Sequence, residues 1–192
     1  MRKPATSSPS IVAELRARTA DAHAKLEHSA FVMPSTRRRA SYARLIGAML
    51  SFHEAIEREF MRFEEAFVER GIVMEGRYKA HLLRGESAQL SSPAVDEPVL
   101  HYAAAANAVG ALYVMEGSTL GGTLIARSVE THLQHSSRYY GCHGCATASR
   151  WRETTAQLDA FPLDEREREQ MCDGANSTFF ALFEHLRSAR LG

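Results

Sequence analysis

The chain has 192 residues, of which 45% are hydrophobic and 24% charged, a balance that is typical of a single soluble globular domain with a buried core. Its 23 Lys and Arg residues equal its 23 Asp and Glu residues in number, so it lacks the basic excess of a nucleic-acid-binding protein. It also lacks the run of about 18 apolar residues that a membrane span requires. Three cysteines, an odd number, favour a reducing cytoplasm over a disulfide framework.

The N-terminal stretch "MRKPATSSPS" carries basic residues but no apolar segment, so it is not a secretory signal. It predicts a short disordered tail over residues 1–9. Nearly every periodic stretch after this tail has the helical period, and no linker or internal repeat divides the chain. The sequence therefore predicts a single all-α domain over residues 10–192, with helices packed on helices.

The predicted elements follow in chain order. The first half has a first helix from Ile11, a long helix from Ala40 to Arg70 ended by Gly71, and a helix from Tyr78 to Gln89, followed by a break at "LSSPAVDEP". The second half has a helix from Leu100 through Met115 into a glycine-containing segment and then a loop at "HSSRYYGCHGCATAS". A helix from near Trp151 and a last helix from Asp164 to Arg187 complete the series.

The first helix carries a histidine in an informative position. On a helical wheel His23 lies beside Thr19 at the margin of an apolar stripe, with Arg16 and Glu27 just beyond it. A half-buried histidine between a cation and a carboxylate suits a metal ligand, because the second ring nitrogen then has an acceptor. The alternative is a surface or satisfied core histidine, since the chain has nine of them.

The second informative stretch is "YVMEGSTLGGTLIARSV", residues 113–129, where three glycines interrupt an apolar helical pattern. Each costs about 1 kcal/mol relative to Ala in a helix interior. Gly117 and Gly121 have the spacing of a close helix–helix contact, and "EGS" followed by "TLGG" would also suit a turn between two helices. A third interpretation is a kinked helix with Gly122 and its neighbours bare against a flat ligand, and with Ser118 holding an ordered water.

Taken together, these motifs resemble the heme oxygenases, specifically the bacterial biliverdin-producing type that is often paired with bacteriophytochromes. The resemblance rests on "LRARTADAHAKLE" and "LYVMEGSTLGG", and is extended by "YYG" followed by "ASRW" and by "ANSTFFALFEHL". These motifs span nearly the whole chain. The fold that the resemblance implies is a single-domain helical bundle with heme sandwiched between a proximal helix and a kinked distal helix.

The resemblance also implies roles for individual residues. It makes His23 the ligand of the heme iron and Glu27 its nearby partner. The distal helix over the oxygen-binding face would contribute Gly117, Ser118, Gly121 and Gly122. The heme contacts that it implies are Arg16, Thr19, Tyr113, Ser177 and Phe180, with Phe183 beside Phe180. In animal relatives an aspartate stands at about the position of Ser118, so the water network here is expected to differ.

The reaction implied is the cleavage of heme to biliverdin, carbon monoxide and ferrous iron, with heme b as both substrate and cofactor and with O2 as the oxidant. The implied partners are an electron donor, such as a ferredoxin or a flavin reductase, and a bacteriophytochrome that accepts biliverdin. The basic run Arg37, Arg38 and Arg39 would suit docking of an acidic donor, or form only a solvated turn. A non-catalytic heme carrier or sensor with the same pocket is the alternative function.

Two further patterns offer different sites. His132, His135, Cys142 and Cys145 form an H-x2-H…C-x2-C pattern that a structural zinc could use, whereas a variable surface loop is the default interpretation. A ferritin-like di-iron bundle would need Glu-x-x-His motifs on two helices, and the chain has none.

Overall fold

Helices make up all the regular structure in the computed structural model, which describes residues 10–29 and 31–189. They are α1 (Ile11–Arg18), α2 (Ala20–Glu27), α3 (Val32–Ser35), α4 (Arg39–Arg62), α5 (Glu64–Glu69), α6 (Ala80–Leu90), α7 (Ala105–Leu133), α8 (Thr147–Asp159) and α9 (Glu165–Ser188), with a short 3-10 turn at Gly144–Ala146. No β-strand occurs in these residues, which confirms the all-α prediction. The tail predicted over residues 1–9 lies outside the described residues.

The first predicted helix is divided into α1 and α2. Ser10 caps α1, because its Oγ accepts a hydrogen bond from the amide of Ala13 at 3.0 Å. At Thr19 the helix is interrupted, and the Thr19 hydroxyl donates to the carbonyl of Leu15 at 2.7 Å. The amide of His23 still bonds to the Thr19 carbonyl at 2.9 Å, so α2 continues in nearly the same direction.

The long helix predicted over residues 40–70 is also wrong in one detail, since it breaks at Phe63 into α4 and α5. No glycine or proline marks this break in the sequence. Phe60 and Phe67 are buried as the periodicity predicts, whereas Phe63 is only partly covered. Gly71 ends the segment in the left-handed region, with φ of 68°.

The helix predicted from Leu100 begins only at Ala105, which is a third correction. The segment before it is held in a non-helical conformation by tertiary contacts that outweigh its helical periodicity. The amide of Tyr102 donates to the Glu59 carboxylate at 2.8 Å, and its hydroxyl lies 2.7 Å from that of Thr178 on α9. These contacts join α4 and α9 through the segment.

At the centre of the molecule α7 crosses α9, backbone against backbone. A Cβ added to Gly110 would lie 1.9 Å from the carbonyl oxygen of Met171, and one added to Gly174 would lie 2.0 Å from that of Asn107. Only glycine fits at these two positions. Beyond the crossing, α7 continues without interruption to Leu133, so the alternative of a turn between two helices is wrong.

A buried ionic cluster fixes the middle of α7. Glu116 lies between Lys79 and Arg77, with N–O distances of 3.0 Å to each, and all three side chains are buried. The backbone amides of Lys79 and Ala80 donate to the Glu57 carboxylate at 2.6 and 2.8 Å, which anchors the start of α6 on α4. None of the described helices is long and apolar enough to cross a membrane.

Candidate functional site

One face of α7 is fixed at both ends and open between them. At 100° per residue, six residues between Tyr113 and Ser128 fall within a sector of about 100°. They are Tyr113, Gly117, Leu120, Gly121, Leu124 and Ser128. Tyr113 lies near the Arg16 guanidinium of α1, and the Ser128 hydroxyl lies 2.7 Å from that of Thr36, just after α3. These two contacts are about 22 Å apart along the helix.

Between the two contacts lies an apolar surface that the described residues leave open. A Cβ added at Gly121 would meet nothing within 4 Å, and Leu120 and Leu124 are 41% and 63% exposed. We call this stretch, lined on α7 by Leu120, Gly121 and Leu124, the groove. Arg16 and Thr36 lie at the two ends of the same α7 face. The chain between them includes α2, which carries His23 and packs on α9.

The His23 side chain is 54% exposed, which corrects the half-buried position predicted for it. The reason is that α2 buries none of its residues and is covered on one side only. Nδ1 of His23 lies 3.4 Å from the Glu27 carboxylate, as the spacing of the two residues predicts. The ring packs edge-on against Phe179 of α9, with 5.6 Å between the centroids. The arrangement leaves Nε2 as the nitrogen for a ligand.

The cationic and phenolic residues predicted to meet a ligand's edge do lie together. Burial raises the pKa of Tyr113, while the nearby Arg16 guanidinium partly offsets that effect. Arg16 itself is exposed, so it retains donors for an anionic group. Thr19 is buried and its hydroxyl donates to the Leu15 carbonyl, and its contact with heme stays a prediction.

The three glycines of α7 have three different surroundings. Only Gly121 borders open space. A Cβ at Gly117 would lie 3.3 Å from the indole ring of Trp151, and one at Gly122 would lie 3.0 Å from the backbone carbonyl oxygen of Tyr140. Gly117 and Gly122 therefore make room for other parts of the protein, and their contact with a flat ligand stays a prediction.

The Ser118 side chain is exposed, and its hydroxyl donates to the Met115 carbonyl at 2.8 Å. With its proton used in this way, the oxygen of Ser118 retains only acceptor capacity for a water. The prediction that Ser118 holds an ordered water is compatible with this geometry and stays a prediction.

On α9, the residues that the sequence offered as pocket walls differ in exposure. Phe180 is 62% exposed, and Ser177 is exposed with its hydroxyl bonded to the Gly174 carbonyl at 3.0 Å. Phe183 is partly covered, since its ring packs 5.5 Å from that of Phe31 and the Lys25 ammonium lies 4.3 Å from its centroid. Phe179, which contacts His23, was not predicted, because Phe180 and Phe183 are also phenylalanines and the sequence does not show which of the three faces His23.

The residues of the H-x2-H…C-x2-C pattern have other surroundings than a zinc site. Nδ1 of His132 lies 2.8 Å from the Ser128 carbonyl oxygen, and Nε2 of His135 lies 3.1 Å from the buried Glu86 carboxylate. Cys142 and Cys145 are free thiols. Within residues 10–29 and 31–189, no three His, Cys, Asp or Glu side chains are grouped so as to hold a metal ion.

Comparison with known families and structures identifies the family and the fold of the chain. The family model for heme oxygenase matches residues 10–188. The heme oxygenase of Neisseria meningitidis, solved with NO and CO bound, has a similar fold with a TM-score of 0.83 and 20% identity, over 95% of this chain and 92% of that one. A comparison with curated proteins gave no match.

Two further solved structures share the fold. The heme oxygenase of Leptospira interrogans has a TM-score of 0.76 and 18% identity, over 93% of this chain and 99% of that one. Heme oxygenase-1 of the cyanobacterium Synechocystis, solved in complex with heme, has a TM-score of 0.74 and 15% identity, over 94% of this chain and 92% of that one. At these identities the structures show a shared fold, and the family model supplies the assignment to a family.

Proposed function

The chain belongs to the heme oxygenase family, and we propose that it cleaves heme to biliverdin, carbon monoxide and ferrous iron with O2 and electrons from a partner. The observation that carries the proposal is the groove of α7, which is open and apolar between its contacts with Arg16 and Thr36, the two residues that flank the chain segment carrying His23. Heme, when bound there, supplies both the iron that activates O2 and the macrocycle that is cleaved.

The residues that are present fit the macrocycle of heme, its carboxylate groups and its iron. A flat apolar macrocycle needs an apolar surface without side-chain obstruction, which Gly121 with Leu120 and Leu124 provides. Its carboxylate groups need cationic or hydroxyl donors at one edge, where Arg16 and Tyr113 lie together.

The iron needs an imidazole with one nitrogen available. Nε2 of His23 would be that ligand, with Nδ1–H donating to Glu27 and thereby fixing the tautomer and the orientation of the ring. A neutral imidazole leaves iron able to bind O2, whereas a thiolate favours O–O cleavage.

The groove side of α7 offers no acid of its own. Leu120, Gly121 and Leu124 carry no titratable group, and the Ser118 hydroxyl proton is bonded to the Met115 carbonyl. Water held by acceptors such as Ser118 would therefore be the proton source near the groove. A weakly acidic surrounding of this kind suits oxidation at the macrocycle better than the strong acid–base pair of a peroxidase.

The electron donor would dock near the end of the groove that Thr36 closes. Arg37, Arg38 and Arg39 follow Thr36 directly and are all exposed, and Arg127 precedes Ser128 on α7 and is exposed as well. Four cations there favour an acidic donor such as a ferredoxin. The resemblance to phytochrome-associated enzymes supports a bacteriophytochrome as the acceptor of biliverdin.

The experiment that tests the proposal is a single turnover followed by absorption spectroscopy. The purified chain is mixed with one equivalent of hemin, and ascorbate is added in air with catalase present. Loss of the Soret band with growth of a broad red biliverdin band is the expected result. A Soret band that shifts on reduction but persists would instead identify a heme carrier or sensor, and no change of the Soret band on adding hemin would overturn the site itself.

A further inference from the structure

Trp151 of α8 lies against the α7 face that forms the groove. It is the only tryptophan of the chain, and it is partly exposed. Its ring atoms Cη2 and Cζ3 would lie 3.3 and 3.4 Å from a Cβ at Gly117, and its ring centroid is 5.4 Å from that of Tyr113. The bare backbone at Gly117 therefore accommodates the indole of this chain.

Gly117 and Gly121 are one turn apart, or about 6 Å along the axis, on the same face of α7. The first is covered by the indole and the second borders open space. The groove consequently ends at Trp151. The phenol ring of Tyr113 packs on the indole and lies near the Arg16 guanidinium. We call these three side chains, of Trp151, Tyr113 and Arg16, the end wall.

We infer that Trp151 is a specificity-determining residue, whose indole stops the heme macrocycle at the end wall and so fixes which meso carbon lies beneath Gly121. This inference rests on the proposed function. The four meso positions of a porphyrin are chemically similar, so only contacts at its perimeter distinguish one rotation about the iron–histidine axis from another. Leu120 and Leu124 are exposed and smaller, whereas an indole is large, flat and rigid.

The first test asks whether the indole touches the bound macrocycle, with a readout that is independent of turnover. Because Trp151 is the only tryptophan, labelling with 5-fluorotryptophan gives one 19F resonance from the folded chain. The probe is zinc protoporphyrin, which is diamagnetic and is not cleaved. We expect its ring current to shift that resonance in proportion to occupancy. A resonance that stays in place while the visible band of the porphyrin shows saturation would overturn the inference and leave the proposed function intact.

If the visible band of the porphyrin does not change, the proposed function fails together with the inference. The two failures are therefore distinguishable in one titration.

The second test compares the biliverdin isomers released by wild type, Trp151→Ala, Trp151→Phe and Arg152→Ala. Arg152 is the next residue of α8 and is exposed, so it is the matched control. We expect the ratio of the major isomer to the others to fall at least about tenfold in W151A, to fall less in W151F, which keeps a planar ring, and to be unchanged in R152A. An unchanged ratio in W151A that binds hemin one to one would overturn the inference. If W151A does not fold, W151F and the 19F titration of the wild type decide the matter.

Discussion

At the scale of single residues, neighbouring glycines of α7 solve different packing problems. Gly117 admits the indole of Trp151, Gly122 admits the backbone of Tyr140, and a Cβ added at Gly121 would meet no atom of another segment within 4 Å. A glycine in a helix interior lowers stability relative to alanine, and where an added Cβ would meet nothing, no packing contact compensates for that loss. Such a position is expected where function, rather than the fold, selects the residue.

Gly121→Ala therefore separates stability from function. In the heme-free protein we expect alanine to raise the free energy of unfolding by up to about 1 kcal/mol and Tm by about 2–4 °C, because helix propensity improves and no atom is displaced. The same methyl group projects into the groove, so hemin affinity should fall about tenfold or more. Thermal unfolding and a hemin titration measure the two effects. A variant that is less stable than wild type, or that binds hemin equally well, would contradict this account.

His23→Ala tests the ligand assignment. We expect the ferric heme complex to lose its histidine-ligated spectrum, and added imidazole to restore it, because the His23 side chain is 54% exposed and its site is open to small molecules. Glu27→Gln is the matched variant. It keeps a hydrogen-bond acceptor at an exposed position, so hemin affinity should change by less than about tenfold. An unchanged ferric spectrum in H23A would sink the assignment.

At the scale of elements, the crossing of α7 and α9 determines where the groove lies. The two helices touch at Gly110 and Gly174, near the start of α7, and α7 then extends toward α3. Its far half can therefore present Leu120, Gly121 and Leu124 to open space while the near half is buried. The buried cluster of Glu116 with Lys79 and Arg77 holds the helix between these halves.

Gly110→Ala should be strongly destabilising, by about 3 kcal/mol or more, since its Cβ would lie 1.9 Å from the Met171 carbonyl oxygen and two backbones must separate. Gly85→Ala on α6 is the control. A Cβ there meets nothing within 4 Å, so we expect stability to rise by up to about 1 kcal/mol. Urea unfolding monitored by circular dichroism measures both changes. Similar effects of the two substitutions would contradict the backbone-contact interpretation.

At the scale of the whole molecule, buried histidines couple stability to pH. Burial lowers the pKa of His53 and of His185 from the ordinary value of 6.5. Below pH 6.5 the unfolded chain takes up protons at these residues that the native chain resists. The free energy of unfolding should therefore be at its full value above pH 6.5 and fall as the pH drops through the lowered native pKa values.

His185→Gln tests this coupling. Nε2 of His185 lies 2.9 Å from both the Ala48 carbonyl oxygen and the Ser51 hydroxyl, and a glutamine amide can replace those contacts without titrating. We expect the variant to lose less stability than wild type between pH 7.5 and pH 5.5, as measured by Tm. The control is His81→Gln, whose side chain is exposed. Equal pH dependence of wild type and H185Q would exclude His185 as a contributor.

Charge at the molecular surface gives a prediction about the electron donor. Replacing Arg37, Arg38 and Arg39 by glutamate should slow turnover with a reduced ferredoxin, and the difference from wild type should shrink as salt is added. Turnover with ascorbate should be unchanged, because it does not require docking of a protein. Arg166→Glu on α9, also at an exposed position, is the control for the reversal of a single surface charge. If wild type and the glutamate variant turn over at equal rates with ferredoxin at low salt, the docking surface lies elsewhere.

The sequence by itself determined the fold class, the single domain and most helices, because these depend on local periodicity and on caps such as Ser10 and Asp164. It also placed His23 one turn before Glu27, a spacing that any helix converts into proximity. The breaks at Thr19 and Phe63 and the late start of α7 could not be predicted, since no glycine or proline marks them and distant hydrogen bonds hold the segment before α7.

Only the tertiary structure decided what each glycine is for. Gly110 and Gly174 had no signal in the sequence, yet they let α7 and α9 touch, while Gly117, Gly121 and Gly122 shared one motif and have separate surroundings. The same holds for Trp151, whose partner Gly117 lies 34 positions earlier in the chain. The physical reason is that the absence of a side chain does not specify which neighbour occupies the space. That neighbour is chosen by how distant segments pack.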